Sequence, residues 1–178
     1  MVRPAANDLL QSFRFHVTAA EIPTVGDPLQ YTERGTGFEQ GGQAGFQSVT
    51  LPDVTLEATE YREGTMKWTQ KYPGPPTVSD VTLMRGVAKR DTAFHDWVMA
   101  ANNGTEYRTD VTIWHYQRTE YDNATLSETD DSYRRVECKE CFGMRSKPGA
   151  DFDSMSGEVS LMECDFACES FEVEYEAA

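Results

Sequence analysis

Four cysteines are the residues of this 178-residue chain best equipped for chemistry. Cys138-x-x-Cys141 and Cys164-x-x-x-Cys168 have the donor type and close spacing of a zinc site. Strand phase argues against that chemistry. Cys138 and Cys141 lie an odd number of residues apart, so a regular strand points them to opposite faces. Zinc knuckles hold such pairs on a tight turn, whereas residues 136–142 offer no turn residue before Gly143. The expectation is four small buried hydrophobes without a disulfide in a cytosolic product. Zinc on Cys138, Cys141, Cys164 and Cys168 is the alternative.

The remaining candidates are weaker. His16, His95 and His115 fall inside regular segments, and no spacing ties them to a cysteine nucleophile. The carboxylate pairs Asp130-Asp131 and Asp151/Asp153 sit in loop-like sequence, where solvated charge is the default. Gly35 and Gly37 lack the third glycine and the strand–turn–helix unit of a dinucleotide fingerprint. No nucleophile elbow, phosphate loop or kinase signature is present. The reading is a non-enzyme with no cofactor.

Composition narrows the classes further. The length suits one domain, 1–178, with a proper core. A net charge of −14 disfavours nucleic-acid binding, which relies on clustered Lys and Arg. Residues 151–178 hold nine acidic residues and no basic one. Met1–Leu10 has no basic start followed by an apolar run, and no stretch of about 18 apolar residues suggests a membrane anchor. Cytosolic synthesis is the expectation.

The elements follow from periodicity. Residues 1–11 read as an N-terminal arm. Phe13, Phe15 and Val17 alternate with Arg14, His16 and Thr18, a half-buried strand. Five glycines make 33–45 a mobile loop. Strands follow at Phe46–Leu51, at Val54–Thr59 with Val54, Leu56 and Ala58 on one face, and at Val78–Val87. Within 60–80, Gly64, Pro73, Gly74, Pro75 and Pro76 read as turn residues of a projecting hairpin. Its charges Arg62, Glu63, Lys67 and Lys71, with Arg85 beyond it, show no buried partner nearby in sequence. Asp91 is placed as the N-cap of a helix whose stripe is Phe94, Trp97, Val98 and Ala101, ended by Gly104. Tyr107–Arg118 and Tyr133–Phe142 are further strands around a polar loop, 119–131. In Glu158–Tyr175 the apolar phase changes twice, predicting bulges or breaks near Met162 and Ser170. The sum is mainly β: an antiparallel sandwich or small barrel with one α-helix.

The hairpin carries the functional argument. Met66, Trp68 and Tyr72 alternate with charges, too apolar for a free loop, and Trp, Tyr and Arg together suit a protein interface. Phe13-Arg14-Phe15, Gly45-Phe46-Gln47-Ser48-Val49, Glu60-Tyr61-Arg62-Glu63-Gly64, the proline-glycine segment and Leu83-Met84-Arg85-Gly86-Val87 occur in an order that resembles the inner tube proteins of contractile phage tails and related contractile injection systems. The similarity runs from Phe13 to about Val173. The glycine-rich first connection and the C-terminal cysteines depart from that family's pattern.

The resemblance implies a structural subunit. Six copies would form a ring closed into a β-barrel by strand pairing, and rings would stack into a hollow tube conducting DNA or protein cargo. The segment 60–74 would reach the adjoining ring, burying Tyr61, Met66 and Trp68 and placing Arg62, Glu63 and Lys67 in ion pairs, with Lys71 and Tyr72 beside them. The helix would pack on the outside of the barrel. Asp151, Asp153, Glu158, Glu163 and Asp165 are candidate lumen acids. Implied partners are the tail sheath, baseplate and tail terminator proteins, and a tape measure or cargo in the lumen. The implied location is a virion tail tube or injection particle, assembled in a bacterial or archaeal cytoplasm. Three other readings stand beside it: a secreted ring-forming carrier of the type VI kind, a zinc-binding β-domain, and a monomeric sandwich that binds a host surface.

Overall fold

The computed structural model describes residues 12, 15–29, 45–87, 91–116, 132–155 and 157–175. The predicted N-terminal arm, most of the glycine-rich loop, Phe13, Arg14, Asp130-Asp131 and the loop 119–131 lie outside them. In chain order the elements are β1 (Phe15–Ala19), β2 (Phe46–Val49), β3 (Val54–Tyr61), β4 (Gln70–Val78), β5 (Val81–Gly86), α1 (Ala93–Asn103), β6 (Thr109–Tyr116), β7 (Ser132–Lys147), β8 (Leu161–Ala167) and β9 (Ser170–Tyr175). One antiparallel sheet runs β1-β6-β7-β8-β5-β2, with β9 also on β7; β3 and β4 form a separate two-stranded ribbon. The fold is therefore mainly antiparallel β with one helix among the described residues.

The main sheet is bent at β7. Its first half pairs with β6 and β9, its second half with β8. Cys138 pairs with Val111 and Cys141 with Thr109, so Lys139 and Glu140 together oppose Asp110 alone. Glu140 takes φ 53°, and its N–H donates to Asp110 Oδ1 at 2.9 Å. This bulge resets the strand phase. Cys138 and Cys141 consequently both point into the core, correcting the opposite-face expectation from an unbroken strand. Across from the bulge the chain breaks after Ala167 and resumes at Ser170, with Glu169 N–H donating to Lys139 O at 3.1 Å. Met162, Cys164, Phe166 and Cys168 all face inward, and the earlier phase change falls where β8 begins.

The core lies between the two halves of the sheet. Val17, Val111, Ile113 and Val136 come from one half, Val81, Leu83, Met162, Cys164 and Phe166 from the other. The helix covers it with Ala93, Phe94, Trp97 and Ala100 buried, and Val98 and Ala101 half-buried at its margin. Trp97 packs on Phe166 with ring centroids 5.6 Å apart, and its Nε1–H donates to Tyr107 O at 2.8 Å. Gly143 lets the helix approach: a Cβ there would stand 3.0 Å from Val98 Cγ2. Gly104, at φ 68°, ends the helix in the left-handed conformation that glycine takes without steric cost.

Two sequence expectations fail around this core. Arg85, read as an exposed charge, is only 1 % exposed. Its guanidinium lies over the Phe94 ring at 4.1 Å and near Phe46, and donates to Leu29 O at 3.0 Å and Asp91 Oδ1 at 2.6 Å. Asp91 is thus this arginine's counter-charge, and the N-cap position belongs to Thr92. Only a weak contact of 3.4 Å joins Asp91 Oδ1 to Ala93 N–H. A buried guanidinium without a carboxylate would be far costlier than a helix without a side-chain cap.

Candidate functional site

The β3–β4 ribbon starts at a clamped neck. Asp53 N–H donates to Ser79 Oγ at 2.8 Å, and Ser79 N–H to Asp53 O at 2.9 Å. From there Val54 pairs with Val78, Leu56 with Pro76, Thr59 with Tyr72 and Tyr61 with Gln70. Every residue of β3 is exposed, and in β4 only Gly74 and Val78 are partly covered. Val54, Leu56 and Ala58 share one face as expected, and that face is as exposed as the other. The proline-rich segment is also strand, not turn. Proline lacks a ladder donor, which is tolerated in a ribbon whose outer edge meets solvent. A bulge lies between Leu56 and Ala58, where Gly74 passes so close that a Cβ would sit 2.6 Å from Glu57 O.

The tip spans 62–69, earlier and longer than the turn predicted around Pro73. Met66 N–H donates to Glu63 O at 3.0 Å, and Met66 alone of the predicted interface residues is half-buried. Tyr61, Arg62, Glu63, Lys67, Trp68, Lys71 and Tyr72 are exposed, Trp68 to 77 %. Their polar contacts are short-range. Lys71 Nζ pairs with Glu60 at 3.4 Å, Tyr72 OH donates to Gln70 at 2.6 Å, and Lys67 Nζ sits 5.8 Å from the Trp68 ring centre. Salt bridges this exposed contribute little to stability. Among the described residues nothing covers the arm's large apolar side chains, and exposed apolar patches are a common mark of interaction surfaces.

Open sheet borders are the second feature. Among the described residues β1 and β2 stand at the two ends of the strand order, each bonded along one side. A cavity of about 250 Å³ lies between them, lined by Phe15, Val49, Leu51, Ile113, His115 and Arg134 among others. Unpaired strand borders offer backbone donors and acceptors to another chain.

The chemically suggestive residues do not assemble into a reactive centre. All four thiols are free and buried. Burial pushes the Cys164 and Cys168 thiols up to about 12, and Cys141, which donates its S–H to Cys138 and is buried, is raised strongly. Among the described residues no group of three or more His, Cys, Asp or Glu is arranged to hold a metal ion. His16 is buried beside Trp114 on β1, His115 lines the cavity on the other face, and His95 is exposed on the helix. Of the predicted lumen acids, Glu163 and Asp165 share Arg145 at 3.0 and 2.7 Å, so their charge is partly offset. Asp151, Asp153 and Glu158 lie exposed in the loop before β8. Sequence reading missed three exposed apolar residues of that loop, Phe152, Met155 and Val159. Only the absence of any strand partner for 150–159 could have pointed to them.

The model of the family described as T4-like virus tail tube protein gp19 matches residues 11–172. No curated protein sequence matches the chain. Among solved structures the fold is similar to a chain of an extracellular contractile injection system, the PVC sheath–tube complex in the extended state. That match has 18% identity and a TM-score of 0.70 over 95% of this chain and 93% of the other. A chain of the anti-feeding prophage cap, the AFP tube terminating cap, gives 18% identity and a TM-score of 0.71 over 98% and 97%. A crystal structure of Hcp protein is more distant, with 12% identity and a TM-score of 0.57 over 92% of each chain. At these identities the structural likeness establishes the fold.

Proposed function

The chain belongs to the T4-like virus tail tube protein gp19 family, and on that premise we propose that it is the repeating subunit of the inner tube of a contractile tail or injection system. Copies pair along their open strand borders into a six-membered ring, and rings stack head to tail into a hollow tube that conducts DNA or protein. A heterologous contact that closes after a fixed rotation gives the ring; a second one along the axis gives the filament. The role is structural. A sheath surrounds the tube, with baseplate and terminator proteins at its ends, as the names of the similar assemblies indicate for those systems.

The observation that carries this reading is the β3–β4 arm, exposed on both faces and bearing Val54, Leu56, Tyr61, Trp68 and Tyr72. An isolated two-stranded ribbon is marginal in water, so its apolar side chains need a neighbour. Negative-stain microscopy and sizing chromatography of the purified chain test it. Rings of about 120 kDa, six times the 20.0 kDa chain, that stack into tubes are the expected result. A 20.0 kDa species at every concentration overturns it. Rings that never stack favour a secreted ring-forming carrier.

A further inference from the structure

The four most exposed large hydrophobic side chains among the described residues fall in two places. Trp68 is at the tip of the arm at 77 %; Phe152, Met155 and Val159 are in the loop before β8, at 100 %, 92 % and 76 %. These places lie at opposite ends of one strand. The arm's neck, Val78 to Val81, precedes β5. The loop leaves where β5 stops, with Gly86 opposite Leu161, Val87 N–H donating to Ser160 O at 2.9 Å, and Ala150 N–H to Ser160 Oγ at 3.0 Å. Six residues of strand hold the two bases roughly 20 Å apart.

Their charges are complementary. In a chain of net charge −14, the tip of the arm, residues 62–69, carries Arg62 and Lys67 against Glu63, while Lys71 below it is paired with Glu60. The loop carries Asp151 and Asp153 and no base. Asp153 Oδ1 accepts from Met155 N–H at 2.9 Å, fixing the turn between Phe152 and Met155.

We infer that the loop bearing Asp151, Phe152, Asp153, Met155 and Val159 is the seat for the arm of a second copy in the adjoining ring. A knob at one end of the subunit and its receiver at the other is what a head-to-tail repeat requires. Trp68 and Tyr61 of one copy pack on Phe152 and Met155 of the next, while Arg62 and Lys67 meet Asp151 and Asp153. This assignment rests on the tube reading. It also gives Asp151 and Asp153 a role between rings, in place of the channel wall.

The experiment compares four full-length variants with the unaltered chain by sedimentation and microscopy. Phe152→Ser with Met155→Ser, and separately Trp68→Ser, are expected to leave rings but abolish tubes. Asp151→Lys with Asp153→Lys is expected to abolish tubes as well, and adding Arg62→Glu and Lys67→Glu to restore them. The substituted residues are exposed, so unchanged thermal unfolding of each variant serves as the folding control. Tubes formed normally by the Phe152/Met155 variant but lost in Trp68→Ser would overturn the inference while leaving the tube reading intact, and so would failure of the four-charge reversal to restore stacking. No ring or tube from the unaltered chain would overturn both.

Discussion

At the scale of single residues, the buried Arg85–Asp91 pair is the feature most sensitive to change. The guanidinium ties the segment at Leu29, strand β5, the start of the helix and Met162 to one point. Removing one partner strands the other charge in the core, so Asp91→Ala is expected to cost about 3–5 kcal/mol in chemical denaturation. Replacing both, Arg85→Met with Asp91→Leu, should recover most of that loss. The thiols give a second prediction. An unfolded thiol releases its proton near 9.0, whereas buried Cys164 holds it until about 12. The folded state then binds more protons between those values. Stability is full below about pH 9 and declines by up to about 1.4 kcal/mol per pH unit above it. Melting temperature measured from pH 8 to 11 should fall more steeply in the native chain than in Cys164→Ala; equal slopes would refute this origin. Burial of the cysteines was legible in the sequence, the ion pair was not. Arg85 stands among solvated charges there, and the counter-charge six residues on reads equally well as a helix cap.

At the scale of elements, alternation made the strands of the main sheet legible, because a half-buried strand writes its period into its side chains. It failed at two places, each with a physical cause. The bulge at Glu140 is imposed by Asp110 on the partner strand and leaves no local mark. Proline and glycine disguised β4, since a ribbon with a solvent-facing border tolerates residues that a central strand excludes. The arm's mixture of aromatic and charged residues was visible all the same, and the structure leaves those residues exposed. Gly74 supplies the test at this scale. In Gly74→Ala the new methyl meets the Glu57 carbonyl, and either ribbon pairing or backbone geometry must yield. The expected outcome is unchanged melting of the body with faster amide exchange in 57–74 and loss of stacked tubes. Unchanged exchange there would show that the close approach is dispensable.

At the scale of the whole molecule, a body with its own apolar core carries an arm without one, and in the proposed tube a neighbouring copy completes that arm. The body has its helix, its bent sheet and its apolar centre. The arm has strand pairing and little else, and a lone ribbon of this kind is barely stable in water. Ordering it costs conformational freedom, and that cost is offset only when another copy supplies contacts. Early contacts between a few subunits should therefore be unfavourable, while joining an existing end should be favourable. Light scattering after a concentration jump is expected to show a delay before growth, and sheared fragments added at the start should remove it. Immediate growth without fragments at all concentrations would contradict this. A ribbon with no interior thus sets the tempo: polymer length would be decided by how many seeds are offered, and subunits could accumulate without polymerising until one is.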